Sequence, residues 1–249
     1  NTVYIIDIRP NSPTFHQALS TIILPRTKPI NSGIAVNADA TRLMVGTGEI
    51  SGGGQDITSG YLTVYELDWE KAPTSTSPSS LAFAKLLEDV QVGGIPLSIT
   101  PASDPAHAAF TFKYKVSSYN PFGSSGPIPT NVARVGTVTF DDDDVSVEKI
   151  LTLTPGGLSP FNQSFPYQGY YTDILTPRDV VIAPDLSAAY VADWQLFLVQ
   201  GYGGQRGDKV GVVQDPFGQA KYLGATTPID FGCMTSVALN VDGSRLIAD

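Results

Sequence analysis

The sequence predicts an all-β protein assembled from repeated four-stranded units. Charged residues make up only 16% of the 249 residues, whereas about a quarter is usual in soluble proteins. The 24 glycines and 19 prolines are more turn-forming residues than such a chain usually has. Short β-rich segments recur along the chain and are separated by turn residues. These three observations favour short strands joined by tight turns over a helical protein.

The first recurring segment is a short strand that ends in Asp. It reads TVYIID at 2–7, TVYELD at 63–68 and TVTFDD at 137–142, with a weaker copy, GVVQD, at 211–215. β-branched and aromatic residues dominate these segments, as a pleated and half-buried surface favours. We therefore predict a strand at each position.

The second recurring segment is a strand, a turn centred on Asp, and another strand. The clearest copies turn at Asp39, Asp185 and Asp242, and a degenerate copy lies at 96–112. Asp tolerates the backbone angles that hairpin turns require, which supports a hairpin at each copy. Further strands are predicted between these segments, at 19–24, 82–87, 147–153 and 221–223.

The order of these strands predicts the architecture. We call the strands before and after the Asp turn a and b, the strand that ends in Asp c, and the strand after it d. The chain then reads c-d, three times a-b-c-d, and a-b. Four strands are the content of one β-propeller blade. We predict a single β-propeller domain, or a segment of a larger propeller, with units at about 1–48, 61–114, 133–194 and 209–249. Long loops are expected at 49–60, 70–80, 115–131, 155–176 and 200–209.

These repeats resemble the YVTN-type repeat of surface-layer and YncE-like β-propellers. The matching segments are 34–45, 180–192, 237–248 and 2–7. The resemblance implies a propeller fold. The long insertions and the hairpin at 96–112 depart from the family's pattern, so blade number and function do not carry over.

The two ends of the chain leave two arrangements open. Strands c-d at the start and a-b at the end would form one shared sheet if a ring of four blades closed within the chain. Closure of that kind removes free sheet edges. The alternative is that the chain forms part of a larger ring. The chain starts at Asn1 without an initiator Met or a signal peptide, so we expect that it is processed or is an excerpt of a longer polypeptide.

Composition excludes several classes of partner. The formal net charge of −9 and the absence of a basic stripe argue against nucleic acid. No apolar run is long enough to predict a membrane span. Low Lys content, abundant Ser and Thr and a single Cys are typical of exported bacterial proteins. We therefore expect an extracellular, cell-surface or periplasmic location.

No catalytic or cofactor-binding signature is present, and we predict no cofactor. The only histidines, His16 and His107, lie in different units from each other and from Cys233. We interpret Cys233 as a buried or half-buried structural residue and His107 as an exposed turn residue. The acidic run 141–144 is interpreted as a solvated turn, and a Ca²⁺ site is its alternative.

One long loop is rich in residues that suit partner binding. The segment 161–171 combines aromatic side chains with Asn and Gln, which provide flat apolar contacts and adaptable hydrogen bonds. An Arg-Gly-Asp tripeptide follows at 206–208. The alternative is that the aromatic residues seal the loop against the sheets. The predicted partner-binding residues are Phe161, Phe165, Tyr167, Tyr170, Tyr171, Trp194, Tyr202, Arg206 and Asp208.

Two functional hypotheses follow. The first is a non-catalytic binding or scaffold module of a secreted or cell-surface protein that contacts a protein or glycan through its long loops. The alternative is a metal-dependent propeller hydrolase or lactonase. Its candidate channel-facing carboxylates are Asp39, Asp104, Asp185 and Asp242.

Overall fold

The computed structural model describes residues 2–26, 29–50, 57–74, 82–113, 133–152, 177–193, 196–199, 203–206, 209–225 and 234–249. Within these ranges the chain forms 18 strands and one short 3-10 helix, Trp69–Lys71. The predicted all-β class is confirmed.

Sixteen of the described strands form five consecutive antiparallel sheets, which we call sheets I to V, and the other two form a separate hairpin. Sheet I contains β1 (Thr2–Ile6) and β2 (Ala18–Ile23). Sheet II contains β3 (Pro29–Val36), β4 (Arg42–Ile50), β5 (Ile57–Leu67) and β6 (Ala84–Gln91). Sheet III contains β7 (Ile95–Pro101), β8 (His107–Lys113), β9 (Ala133–Asp141) and β10 (Asp144–Thr152). Sheet IV contains β11 (Pro177–Ile182), β12 (Ala188–Asp193), β15 (Lys209–Gln214) and β16 (Lys221–Ala225). Sheet V contains β17 (Val237–Leu239) and β18 (Leu246–Ala248).

Each four-stranded sheet is a simple antiparallel meander. Its strands follow the predicted order a-b-c-d, while sheet I supplies c-d and sheet V supplies a-b. The units predicted at 1–48, 61–114, 133–194 and 209–249 each span strands c-d-a-b. Each of them therefore runs from one sheet into the next.

The sheets pack face to face in chain order, with an apolar core at each boundary. Sheets I and II enclose a core that includes Leu24, Leu43 and Tyr65. Sheets II and III enclose the largest of the fully buried side chains, Phe110 and Phe112. Two further cores lie between sheets III and IV and between sheets IV and V. The first strands of sheets II to V contact one another in sequence, so the a strands lie together on the same side of the stack.

Glycine permits the close approach of sheets II and III. A Cβ atom at Gly60 in β5 would lie 1.8 Å from the carbonyl oxygen of Gly94, just before β7. Real side-chain atoms do not approach backbone so closely. The distance between these two sheets therefore depends on the missing side chain at Gly60.

One hairpin was not predicted. β13 (Leu196–Val199) pairs with β14 (Gly203–Arg206) between β12 and β15 of sheet IV. We expected 200–209 to be a loop because it is rich in glycine, but cross-strand pairing with the apolar segment 196–199 places residues 203–206 in a strand.

Candidate functional site

The antiparallel order gives the sheets two different ends. At one end of each sheet, the chain connects strand a to strand b and strand c to strand d; we call this the turn end. At the other, b joins c, and d joins strand a of the next sheet; we call it the loop end. The connections between the strands that flank 114–132, 153–176 and 194–208 all belong to the loop end.

Three paired residues anchor two of these connections. Pro177, which begins β11, is the register partner of Asp193, which ends β12. Asp193 is in turn the partner of Lys209, which begins β15. The segment 153–176 therefore enters sheet IV directly beside the point where the chain leaves for 194–208 and returns. The two segments assigned to partner binding from the sequence are attached side by side.

Most of the predicted partner-binding residues lie outside the described residues. These are Phe161, Phe165, Tyr167, Tyr170, Tyr171, Trp194, Tyr202 and Asp208. The backbone of Arg206 is described: it ends β14 and pairs with Leu196. The role of all nine residues stays a prediction.

A carboxylate on an inner strand connects three sheets. Asp179 in β11 accepts a hydrogen bond of 2.5 Å from the Ser98 hydroxyl in β7. Its second oxygen accepts one of 3.1 Å from the backbone N–H of Val237 in β17. The backbone N–H of Val180 donates to the first oxygen, the one that also accepts from Ser98, over 2.9 Å. Because both oxygens already have donors, this arrangement suits a structural link between sheets III, IV and V better than a catalytic base.

Sequence reasoning missed the Ser98–Asp179 pair, although a signal was available. Both residues stand six positions before the Asp of their own a-b turn, and Gly33 and Ser236 hold the same position in the other two copies. Small or polar residues thus recur at one site of an otherwise apolar strand. Aligning the four copies on the turn Asp would have placed these residues on neighbouring strands.

The four candidate carboxylates of the hydrolase hypothesis lie in the a-b turns, at the turn end. Asp39, Asp185 and Asp242 each accept hydrogen bonds from the backbone and hydroxyl of the Thr or Ser two residues later. The hydroxyl bonds, with the backbone bonds, lower the pKa of all three carboxyl groups. Their oxygens stabilise the turns, as turn chemistry predicts for Asp.

The fourth carboxylate, Asp104, has a different partner. It accepts a hydrogen bond from the backbone N–H of Ala106, and its other oxygen lies 2.8 Å from Nδ1 of His107. The His107 ring also contacts Phe217 in the β15–β16 turn of the next sheet, with 4.4 Å between ring centroids. The expectation that His107 is an exposed turn residue is wrong, because it begins β8 and its side chain is only 22% exposed.

The acidic run 141–144 forms the β9–β10 turn. Asp141 and Asp144 are register partners. The Asp142 carbonyl accepts a hydrogen bond of 2.8 Å from the Arg42 guanidinium of sheet II. Lys85 of the same sheet lies 3.5 Å from the Asp143 carboxylate. The run is an exposed turn, as expected, and it also links sheet III to sheet II.

Metal and membrane sites have no support in the described part of the chain. There, no group of three or more His, Cys, Asp or Glu residues is arranged to hold a metal ion. Cys233 lies outside this part. His16 belongs to the β1–β2 connection, where it stacks on Phe15. No helix among the described residues has the length and apolar character needed to cross a bilayer.

Comparison with known proteins identifies relatives in structure only. No family model matches the sequence, and no curated protein matches it either. The chain is similar to a Bacteroides fragilis protein provisionally assigned as a 6-phosphogluconolactonase, with 12% identity and a TM-score of 0.55, over 99% of this chain and 56% of that one. A Bacteroides uniformis protein with the same provisional assignment gives 13% identity and a TM-score of 0.49 over 89% of this chain and 47% of that one. The β-propeller domain of Cps50 (Swd1) from Myceliophteria thermophila gives 8% identity and a TM-score of 0.45 over 88% of this chain and 53% of that one.

The likeness to the Bacteroides fragilis protein, at a TM-score of 0.55, supports a β-propeller-type fold and nothing finer. The packed series of antiparallel sheets agrees with that fold. The chain spans about half the length of these structures. Among the described strands β1 and β18 do not pair, so no closed ring is seen. The comparisons do not test the YVTN-type resemblance, which stays a prediction.

Proposed function

We propose that this chain is a non-catalytic binding or scaffold module of a secreted or cell-surface protein, and that its loop end contacts a protein or glycan partner. One observation carries the proposal. The register Pro177–Asp193–Lys209 attaches the aromatic-rich segment 153–176 and the segment 194–208 to neighbouring positions of one sheet. Two segments rich in contact-forming residues thus start from one rigid platform, which lowers the entropy cost of using them together.

The a-b turns at the turn end are less suited to partner binding than the loop end. Its a-b connections are short, and their Asp side chains are already hydrogen-bonded within the turns. Residues that serve a turn are poorly placed to recognise a ligand. Binding groups in β-rich proteins are commonly carried on loops at one end of a rigid scaffold.

The hydrolase or lactonase alternative has weaker support. The provisional assignment as a 6-phosphogluconolactonase applies to the Bacteroides fragilis protein. At 12% identity, the likeness of this chain to that protein concerns the fold and not the activity. The four carboxylates considered for this chain accept hydrogen bonds inside their own turns. Lactone hydrolysis by the purified chain, reduced by Asp104→Asn, would favour this alternative over the binding module.

The proposed function is tested by screening immobilised glycans and extracellular proteins for binding to the purified chain. A triple variant, Tyr167→Ala with Tyr170→Ala and Tyr171→Ala, is expected to weaken binding of any ligand found by about tenfold or more, since buried aromatic residues dominate interface energies. Val241→Ala is the matched control, because Val241 is 96% exposed at the turn end. Equal binding by the triple variant and the unsubstituted chain, or equal loss in both variants, would contradict the proposal.

A further inference from the structure

We propose that Arg26 clamps the connection between sheets I and II, and that this clamp keeps the loop half of the boundary between these sheets closed. The loop half is the part of the boundary nearer the loop end, and the turn half is the part nearer the turn end. Releasing Arg26 would open the loop half while the turn half stays closed. This inference concerns conformation and does not depend on the proposed function.

The face of sheet II that is turned toward sheet I is apolar in one half and polar in the other. In the turn half, Leu43, Tyr65 and Leu67 belong to the core shared with sheet I. Side chains alternate between the two faces of a strand, so Thr47 in β4 and Thr63 in β5 share this face nearer the loop end. Both Thr side chains are fully buried. Sheet II therefore contributes less apolar burial to the loop half than to the turn half.

Arg26 supplies a charged contact in the loop half. It follows β2 in the connection from sheet I to β3. Its guanidinium group donates a hydrogen bond of 2.5 Å to the Asp89 carboxylate in β6. The guanidinium group also lies over the ring of Tyr61 in β5, with 3.1 Å between its carbon atom and the ring centroid. One side chain from the connection thus contacts strands c and d of sheet II.

The ion pair is largely shielded from water. The side chain of Arg26 is 11% exposed and that of Asp89 is 23% exposed. The second carboxylate oxygen of Asp89 accepts a hydrogen bond of 2.8 Å from the Thr63 hydroxyl, which fixes the orientation of the carboxylate. Stacking on an aromatic ring adds a cation–π contribution to the pair. Because removal of one partner leaves the other charge shielded and unpaired, losing Arg26 should weaken this half of the boundary.

The repeat itself does not require a carboxylate at this position. Thr63 and Asp89 are register partners on strands c and d of sheet II. The equivalent pairs, three positions before the residue opposite the start of strand b, are Gly136 with Lys149 in sheet III and Gly211 with Ala225 in sheet IV. In sheet III apolar packing takes this place, since a Cβ atom at Gly136 would lie 2.5 Å from the ring of Phe110. Among the described four-stranded sheets, the clamp is therefore particular to sheet II.

A second polar contact crosses the same boundary. The Tyr65 hydroxyl donates to the Ile23 carbonyl over 3.4 Å. This bond is long and joins two uncharged groups, whereas the bond from Arg26 to Asp89 is short and joins two charged groups. Tyr65 also packs in the apolar core. Of these two links, the Arg26–Asp89 bond should therefore contribute more to closing the loop half.

Thiol labelling in the full chain tests the clamp, with Cys233→Ser as background. Thr47→Cys places a buried probe in the loop half, and Leu43→Cys places one in the turn half of the same strand and face. A buried thiol reacts with a reagent in solution only when the structure opens locally, so its labelling rate measures opening. Arg26→Ala should increase the labelling rate at Thr47→Cys by about tenfold or more, and that at Leu43→Cys by less than about twofold.

A second probe and a control accompany this measurement. Leu24→Cys is the second probe, because Leu24 is 3% exposed and begins the connection that Arg26 clamps. Lys85→Ala is the matched control: Lys85 is a cation on β6 that reaches Asp143 of sheet III, and its side chain is 61% exposed. This substitution should leave the labelling rate at both loop-half probes unchanged.

A double-mutant cycle tests whether Arg26 acts through Asp89. With the Thr47→Cys probe, Arg26→Ala combined with Asp89→Ala should label no faster than the faster single variant, because substitutions in one contact are not additive. Unchanged labelling of Arg26→Ala at both loop-half probes would overturn the proposal. So would single effects that multiply in the double variant. An increase at Leu43→Cys as large as that at Thr47→Cys would also overturn it, because the whole boundary would then open together.

Discussion

The Ser98 hydroxyl donates a hydrogen bond of 2.5 Å to the Asp179 carboxylate across the boundary between sheets III and IV. The same carboxylate accepts from the backbone of Val237 in sheet V. Apolar cores hold neighbouring sheets together through non-directional contacts, whereas this side chain fixes the relative position of three inner strands. It therefore sets how accurately the sheets align at the loop end.

Replacing Asp179 with Ala is expected to destabilise the chain. The variant leaves the partly buried Ser98 hydroxyl and Val237 N–H without their acceptor, and loss of each hydrogen bond costs about 1 kcal/mol or more. We expect a loss of about 2 kcal/mol or more in the free energy of unfolding, measured by urea denaturation. Asp179→Asn retains one carbonyl acceptor and should lose less. Equal stability of the Ala variant and the unsubstituted chain would show that water replaces these bonds at no cost.

The strands were largely predictable because their signals are local. The β-branched and aromatic residues of TVYELD and its copies predict strand c, and the Asp-centred turns predict the a-b hairpins. The β13–β14 hairpin was missed because the glycines in Gly203–Arg206 give no local strand signal. This segment is a strand because it pairs with residues 196–199. Contacts between sheets, such as His107 with Phe217, depend on packing of distant segments and leave no local pattern. The segments 153–176 and 194–208, which contain the predicted partner-binding residues, are flanked by β10, β11, β12 and β15, and these strands were located from the sequence.

The a-b turns contain one position with left-handed backbone, and its residue should affect stability. Ala40 and Gly243 occupy equivalent positions with φ of 60° and 70°. A residue other than glycine in this conformation lowers the stability of the folded chain by about 1–2 kcal/mol. Such a residue also makes the unfolded chain less flexible than glycine does, and this effect partly offsets the cost. We expect Ala40→Gly to stabilise the chain by about 0.5–1 kcal/mol, measured by thermal unfolding.

The reverse substitution, Gly243→Ala, should destabilise the chain by more than that, because its Cβ would lie 2.7 Å from Cδ of Pro184. Ala38→Gly is the control, since Ala38 is in the same turn as Ala40 without a positive φ. Stabilisation by Ala38→Gly equal to that by Ala40→Gly would exclude backbone strain as the cause.

Stability should fall in acid, with Asp7 as a major contributor. Hydrogen bonds from the Arg9 guanidinium and from the hydroxyls of Ser12 and Thr14 hold the pKa of Asp7 far below its usual range. A carboxyl group whose pKa is lowered by folding stabilises the folded chain above its unfolded pKa of about 3.9, and this contribution is lost as the pH falls toward the folded value.

We therefore expect the melting temperature to decrease as the pH falls from about 4 to 2. Asp7→Asn should lower it near neutral pH, and the difference from the unsubstituted chain should narrow below about pH 4. Glu70→Gln is the control. Glu70 is exposed at the 3-10 helix, and its backbone N–H donates to Asp68. This substitution should leave the dependence of the melting temperature on pH nearly unchanged. A constant difference between Asp7→Asn and the unsubstituted chain at every pH would contradict the role of the Asp7 charge.

The separation of sheets II and III should be sensitive to a single methyl group at Gly60. In Gly60→Ala the new Cβ would meet the Gly94 carbonyl, which is backbone and cannot rotate away. The sheets would have to move apart and loosen the core around Phe110 and Phe112, so we expect a loss of about 3 kcal/mol in the free energy of unfolding. Gly224→Ala is the comparison, because no atom lies within 4 Å of its Cβ while its φ is 122°. It measures backbone strain alone and should cost about 1–2 kcal/mol. If Gly60→Ala cost no more than Gly224→Ala, the boundary between sheets II and III would be able to widen without disturbing its core.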